Sequence, residues 1–306
     1  MTTAVTDALA WVVIAAFGTS AVFDTTGGRE ALRRYTATAA WAVFALFWGL
    51  LVEHFLFVQQ SPIEGVLAAA AVPACLYTGY LVGSGRKELA TLTRAVAIMG
   101  LIYIPFQTIE ALRQWAILTT TDHAAWLMGQ FGYHPPIEAA PEYHGYEAQF
   151  VFSGQHAVTG EDWGFPTTVL LACTGIGSMS IVGGLVLAVE APTRRRMQAL
   201  GLALPLIYGM NLVRVVFIAI AHGEQWFRHP TIQDVVYALF PSENPNMVSY
   251  LFADRVLAQS ASVVVLVVLT LALLRIVPEL GGVIEDVAYV ATGNEYDITE
   301  RFAQRS

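Results

Sequence analysis

Residues 198–221 read QALGLALPLIYGMNLVRVVFIAIA, an apolar run with a single charge, Arg214. A bilayer's hydrocarbon core is ~30 Å thick, and a helix crosses it with about 20 predominantly apolar residues. The run meets that requirement, and Arg194, Arg195 and Arg196 stand before it as a basic anchor. Arg214 does not belong in such a segment by hydropathy. An Arg at the centre of an inserted helix costs ~2.5–3.5 kcal/mol on insertion scales, so residues of this kind face a polar cavity or a partner.

Working outward, comparable spans lie at 7–23, 37–57, 63–83, 92–118, 165–190 and 256–277. The fourth is long and contains Pro105, which predicts a tilt or kink. The fold class predicted is all-α, a polytopic transmembrane bundle of about seven helices. The chain is 56% hydrophobic and 13% charged, against ~25% charged for an ordinary soluble domain. Residues 1–278 therefore read as one transmembrane domain, and 279–306 as a polar, acidic, mobile tail. The N-terminus lacks the basic region of a signal peptide, its first Arg being Arg29, so span one reads as a retained helix. The net charge is −8, and Lys87 is the single Lys among sixteen basic residues. That balance points to a high-salt habitat, and no nucleic-acid partner is expected.

Basic residues set the orientation. Arg29, Arg33 and Arg34 follow span one, Arg86, Lys87 and Arg94 separate spans three and four, and Arg194 to Arg196 separate five and six. Arg275, Arg301 and Arg305 follow seven. These twelve fall on one side if seven helices alternate, which predicts a cytoplasmic C-terminus and an external N-terminus. The long connections 119–164 and 222–254, rich in aromatic and acidic residues, then face outward.

Depth converts this topology into a candidate site. At 1.5 Å per helical residue, Cys173 lies roughly 31 Å from Arg194, Arg214 roughly 27 Å from Arg196 and Arg255 roughly 30 Å from Arg275. All three reach the outer boundary of the bilayer, on three consecutive spans. A thiolate is the reactive form of cysteine, and nearby positive charge favours it. Arginine does not deprotonate at neutral pH, so it is not the general base. It can hold a thiolate and stabilise the oxyanion of a tetrahedral intermediate. Together these groups suit acyl transfer through a thioester. Taken singly, Cys173 also reads as a small buried hydrophobe, and Arg255 as a snorkelling helix-end Arg paired with Asp254. Asn211 shares a face with Arg214 and is placed to orient it. His222, about two turns further, reads as a base or as an interfacial residue. Cys75, at mid-membrane depth, reads as packing, as do Gly183 and Gly184 in helix contacts.

The block Ala-Cys-Thr-Gly-Ile at 172–176, the block Asn-Leu-Val-Arg-Val-Val-Phe-Ile at 211–218 and an Arg opening the last span together resemble the archaeosortase/exosortase family. The resemblance runs over most of the chain. It implies an integral membrane cysteine transpeptidase in the cell membrane, its active site facing the extracellular side. The implied substrates are exported surface proteins ending in a tripartite signal: a short Pro-Gly-Phe motif, a transmembrane helix, then basic residues. Cleavage would pass the new C-terminus to a membrane lipid. By that analogy Cys173 is the acyl-thioester nucleophile, Arg214 a proton donor or thiolate partner, and Arg255 the transition-state stabiliser. No cofactor and no metal are expected, and His-Glu-x-x-His is absent from the sequence.

Other readings compete. An anion or lipid-headgroup transporter would use Arg214 and Arg255 but has no need of Cys173. A serine intramembrane protease would use Ser178, yet His156, its candidate partner, falls in a loop. A retinal protein needs a Lys within a helix, and Lys87 falls between spans. A noncatalytic assembly protein would tolerate loss of Arg214.

Overall fold

The computed structural model describes residues 4–25, 30–58, 62–86, 88–240, 242 and 244–299. Arg29, Lys87, Arg301 and Arg305, used above to orient the chain, lie outside the described residues. Five helices open the chain: α1 (Ala4–Thr25), α2 (Glu30–Glu53), α3 (Pro62–Gly83), α4 (Leu89–Thr108) and α5 (Glu110–Gln130). A π turn, His54–Val58, continues α2. A small antiparallel sheet follows, with strands β1 (Ile137–Ala139), β2 (Glu147–Gln155) and β3 (Asp162–Thr168) in the order β1-β2-β3. A 3-10 turn, Leu171–Thr174, leads to α6 (Ile176–Ala188), α7 (Thr193–Gly223) and α8 (Pro230–Leu239). The last long helix is composite. It begins with a 3-10 turn, Pro245–Met247, and α9 (Val248–Leu251), continues through a π-wound segment, Phe252–Ala258, and ends as α10 (Gln259–Ile276). The described chain closes with α11 (Leu280–Thr292).

Among the described residues, six helices are long and apolar enough to cross a membrane: α1, α2 with its π turn, α3, α4, α7 and the composite helix 245–276. The expected seven spans map onto these six plus the short apolar α6. Two expected spans change shape. Span 92–118 divides, because Ile109 is extended (φ −90°, ψ 110°) and α5 starts afresh behind it. Pro105 weakens the preceding turn by removing an N–H donor, and Glu110 suits a new helix N-terminus. Span 165–190 is not one helix. Its first residues complete β3, and α6 has 13 residues, roughly 20 Å at 1.5 Å each. The reckoning of depth from Arg194 to Cys173 assumed unbroken helix and does not hold. Arg214 lies in the unbroken α7, where the reckoning stands.

The chain divides into two compact units. The first holds α1 to α4, α6 from Ser180, α7 to Ala203, the end of α10 and α11. Its core is aromatic. The Phe17 ring meets Trp41 edge-on at 5.2 Å and Phe44 at 5.6 Å, and Trp41 Nε1 donates to Thr93 Oγ1 at 3.1 Å. Cys75 is buried in this core, consistent with packing. The segment after Pro278, expected as a mobile tail, instead forms α11, which packs on α3 and α4. Its apolar positions Leu280 and Val283 recur at helical spacing and are buried. The polar count of the whole tail had masked them.

The second unit holds α5, the sheet, the turn before α6, α7 from Leu204, α8 and the composite helix to Leu271. Strand β2 buries Ala148, Phe150 and Phe152 in alternation, the period-two pattern of a half-buried strand. They pack with Phe165 of β3, Met128 of α5, and Val216 and Ala219 of α7. Helix α7 ends under β2 at Gly223, where a Cβ would lie 2.1 Å from the Phe152 ring.

Two tests follow from the packing. A Cβ on Gly184 would sit 2.7 Å from the Ala95 carbonyl oxygen of α4, whereas one on Gly183 meets only Ile102 Cδ1 at 3.4 Å. Gly184→Ala is expected to destabilise by about 1–3 kcal/mol and Gly183→Ala far less, measured by thermal unfolding in detergent. The second concerns Asp286 of α11. Burial pushes its carboxyl from 3.8 up to about 6; Arg86 opposes the shift, while Glu88 and Glu285 add to it. A carboxyl raised in the folded state costs nothing below its unfolded value and destabilises increasingly as pH rises through the folded one. Asp286→Asn is therefore expected to raise the melting temperature near pH 7.5, with the gain vanishing towards about pH 4.

Candidate active site

Strand β3 delivers the cysteine. Its ladder ends where Val169 N donates to Ala148 O at 2.8 Å, and the chain then tightens into the 3-10 turn. Cys173 N donates to Leu170 O at 2.8 Å, and Thr174 Oγ1 donates to Leu171 O at 2.7 Å. Gly175 follows at φ 78°, a left-handed conformation that glycine adopts without steric cost. A Cβ there would meet Asn211 Cβ at 3.4 Å, an ordinary contact, so the conformation and not the space calls for glycine. This sharp exit leaves Cys173 half-buried on a turn, not on the face of a helix.

Helix α7 braces the turn. Asn211 Nδ2 donates to the Cys173 carbonyl, so Asn211 holds the cysteine's backbone and not Arg214, the partner expected for it. One turn further, Arg214 Nη2 donates to Asp254 Oδ1 at 2.6 Å. The other carboxylate oxygen, Oδ2, faces Arg255 Nε at 3.4 Å. Asp254 is 8% exposed. Both Asp254 and Arg255 sit in the π-wound segment. A π turn places an extra residue in the helical circuit, and such bulges occur frequently at functional sites. Arg214 Nε is buried and makes no hydrogen bond among the described residues.

Burial pushes the Cys173 thiol up; a backbone hydrogen bond at Leu170 and the Arg214 charge pull it down, and the Asp254 charge adds to the rise. Tyr250, one turn before Asp254, is within electrostatic reach of Asp254, Cys173, Arg255 and Arg214. Asp254 thus joins Arg214 to Arg255, Arg214 and Asp254 act on the Cys173 thiol, and Tyr250 lies within reach of the same charges. Asp254 enters the sequence reading only as a neighbour of Arg255, and Tyr250 does not enter it. A carboxylate near the start of the last long apolar helix was the available signal for Asp254. No sequence signal distinguishes Tyr250 from the other aromatic residues of its connection.

His222 is buried between the end of α7 and β3. It is 2% exposed. Its Nδ1 pairs with Thr167 Oγ1 at 3.0 Å, and its ring packs on Phe165 at 5.7 Å and Tyr250 at 5.4 Å. It ties the end of α7 to β3 and backs Tyr250. Ser178 is exposed in α6 and makes no hydrogen bond to a histidine among the described residues. His156 caps the β2–β3 turn, accepting from Val158 N and Thr159 N at 3.4 and 3.3 Å.

Such a cluster is chemically specific. Asp254 neutralises part of the charge of two guanidiniums and fixes their direction, as a carboxylate with two oxygens can. The remaining N–H groups are preorganised donors for an anion or an oxyanion beside a thiol. Removing the Asp254 carboxylate leaves two guanidiniums, their side chains 34% and 41% exposed, without their anion, a loss that solvent partly offsets. Asp254→Asn is therefore expected to impair both stability and activity. His222→Gln is expected to spare activity, because its role is a buried hydrogen bond. Melting temperature and substrate processing measured on both variants check the distinction.

Comparison with known proteins agrees with the membrane architecture. The family model described as transmembrane exosortase (Exosortase_EpsH) matches residues 4–239. Archaeosortase A of Haloferax volcanii is 43% identical over 303 residues, covering 95% of this chain and 96% of the relative. Archaeosortase A of Natronomonas pharaonis is 42% identical over 286 residues, covering 92% and 87%. No solved structure matches the chain. With matches of that extent, the chain belongs to the transmembrane exosortase family and is a multi-pass membrane protein of the archaeosortase kind.

Proposed function

We propose that this protein is a membrane cysteine transpeptidase that processes the C-terminal sorting signal of exported surface proteins, surface-layer proteins among them. Family membership supports a membrane sorting enzyme. The observation that carries the finer reading is the Arg214–Asp254–Arg255 pairing, of which Arg214 and Asp254 act on the Cys173 thiol. Residues 1–278 are the catalytic domain, and 279–306 lie in the cytoplasm. The N-terminus and the active site face outward, in keeping with the basic anchors.

In the first step the Cys173 sulfur attacks the carbonyl carbon of the scissile peptide near the Pro-Gly-Phe motif. The C–N bond breaks, the thiol proton ends on the departing amine, and the acyl group remains as a thioester. Arg214 and Arg255 donate hydrogen bonds to the oxyanion as it forms. Arg214 acts as a fixed donor and not as an acid, because its guanidinium stays protonated at neutral pH. In the second step a nucleophilic group of a membrane lipid attacks the thioester carbon. A new bond to the lipid forms, and the sulfur leaves as thiol. A site towards the ends of the apolar spans suits this substrate, whose motif precedes a transmembrane helix.

The test is to co-express a protein ending in the tripartite signal with each enzyme and follow its C-terminus by mass spectrometry. Wild type is expected to trim the tail and attach lipid. Cys173→Ala is expected to abolish both, and Arg255→Ala to slow trimming ~10²–10³-fold, as for loss of an oxyanion donor. Normal trimming by Cys173→Ser would sink the thiol mechanism and favour a protein that binds anions or lipid headgroups through its arginines.

A further inference from the structure

Thioester formation needs a group that takes the thiol proton and delivers one to the departing amine. The guanidiniums do not fill that place, because they stay protonated at neutral pH. Other polar groups of the site are already held. Asp254 Oδ1 meets Arg214 at 2.6 Å, and its Oδ2 meets Arg255 at 3.4 Å. The buried His222 ring is engaged by Thr167 Oγ1 at 3.0 Å and by the Asn246 backbone.

Tyr250 differs from these groups. It lies in α9, one turn before Asp254, in the same compact unit as the Cys173 turn and Arg214. Its ring packs on His222 at 5.4 Å. His222 is tied through Thr167 to β3, the strand that leads into the Cys173 turn. The phenol is thus fastened to the support that also carries the thiol. Tyr250 is half-buried, and Cys173 and both arginines are within its electrostatic reach. Among the described residues its hydroxyl makes no hydrogen bond. A phenol hydroxyl both donates and accepts, so one without a partner of its own is free to do both for a substrate.

We propose that the Tyr250 hydroxyl relays the proton from the Cys173 thiol to the departing amine. The relay rests on the transpeptidase reading above. As the Cys173 sulfur bonds to the scissile carbonyl carbon, the thiol proton passes to the Tyr250 oxygen. As the C–N bond breaks, the phenol's own proton passes to the amine nitrogen. Tyr250 is neutral before and after, so the step leaves no new charge on the protein. In the second step the transfer runs the other way. The proton of the lipid nucleophile passes to the Tyr250 oxygen, and the phenol proton returns to the sulfur as the thioester breaks. Arg214 and Arg255 remain the oxyanion donors.

Changing the leaving group separates a relay from a packing role. Tyr250→Phe keeps the ring on His222 and removes only the hydroxyl. Full-length wild type and variant in detergent are each given two synthetic signal-bearing substrates. One has the natural scissile amide, and the other has a thioester at the bond that wild type cleaves. An amine must gain a proton to leave, whereas a thiolate leaves without one. Tyr250→Phe is expected to release the amide's C-terminal fragment about 10²-fold more slowly through kcat, and the thioester's within about threefold of wild type. Tyr237→Phe, at an exposed position of α8, is expected to match wild type on both. Amide cleavage by Tyr250→Phe at the wild-type rate overturns the relay and leaves the transpeptidase reading intact. Equal slowing on both substrates also overturns the relay, and leaves Tyr250 a packing partner of His222. Wild type that leaves the amide uncut overturns the transpeptidase reading, and the relay with it.

Discussion

The Asp254 carboxylate lies between the guanidiniums of Arg214 and Arg255, 2.6 Å from one and 3.4 Å from the other. An Arg inside an apolar helix is costly unless its charge is met, and a carboxylate with two oxygens meets two of them. The arrangement constrains α7 and the composite helix together. Arg214 is rooted in the second half of α7, while Asp254 and Arg255 are adjacent in the π-wound segment. Adjacent residues on a regular helix diverge in direction. The wider π turn is the local device that accompanies both charges being directed at one neighbourhood. Among the described residues the pairing also leaves Arg214 Nε uncommitted. A cluster fully satisfied within the protein would have nothing to offer a reacting carbonyl.

The nucleophile arrives by a different route from its partners. Three antiparallel strands, a 3-10 turn and a left-handed glycine place Cys173, with Asn211 holding its carbonyl. A strand end locked in a sheet and closed by a glycine turn is a rigid support. Rigid supports hold reacting groups more exactingly than loops do. His222, bonded to Thr167 and backed on Tyr250, fastens the same sheet to the end of α7. The sheet is small, but the position of the thiol depends on it.

The long apolar helices were legible because hydropathy over about 20 residues is a strong signal. So was Arg214, since a lone guanidinium in QALGLALPLIYGMNLVRVVFIAIA has no bland place to go. The sheet was not legible as such. Strand β2 alternates Ala148, Phe150 and Phe152 inward, but its nine residues sit among Pro, Gly and acids that read as loop. Span 165–190 misled for a related reason. Val169, Leu170 and Leu171 are apolar enough to extend a span, while Pro166, the β-branched run Thr167 to Val169 and the left-handed Gly175 mark the strand and the break. Asp254 and Tyr250 carry no motif. Their importance follows from what the folded chain places opposite them. Asn211 was assigned to the site for its face on α7, and the partner it takes, the Cys173 carbonyl, depends on a turn that the sequence did not announce.

The central claim is that Cys173 carries the acyl group, and the most direct measurement is to catch it there. Wild-type enzyme co-expressed with a signal-bearing substrate would be quenched in acid and digested, and the peptide containing Cys173 examined by mass spectrometry before and after neutral hydroxylamine. The account predicts an acyl adduct on Cys173 that carries the substrate's new C-terminus and is released by hydroxylamine. Continued processing with the adduct on another residue, or with Cys173 unmodified while its alkylation leaves processing unchanged, would contradict it.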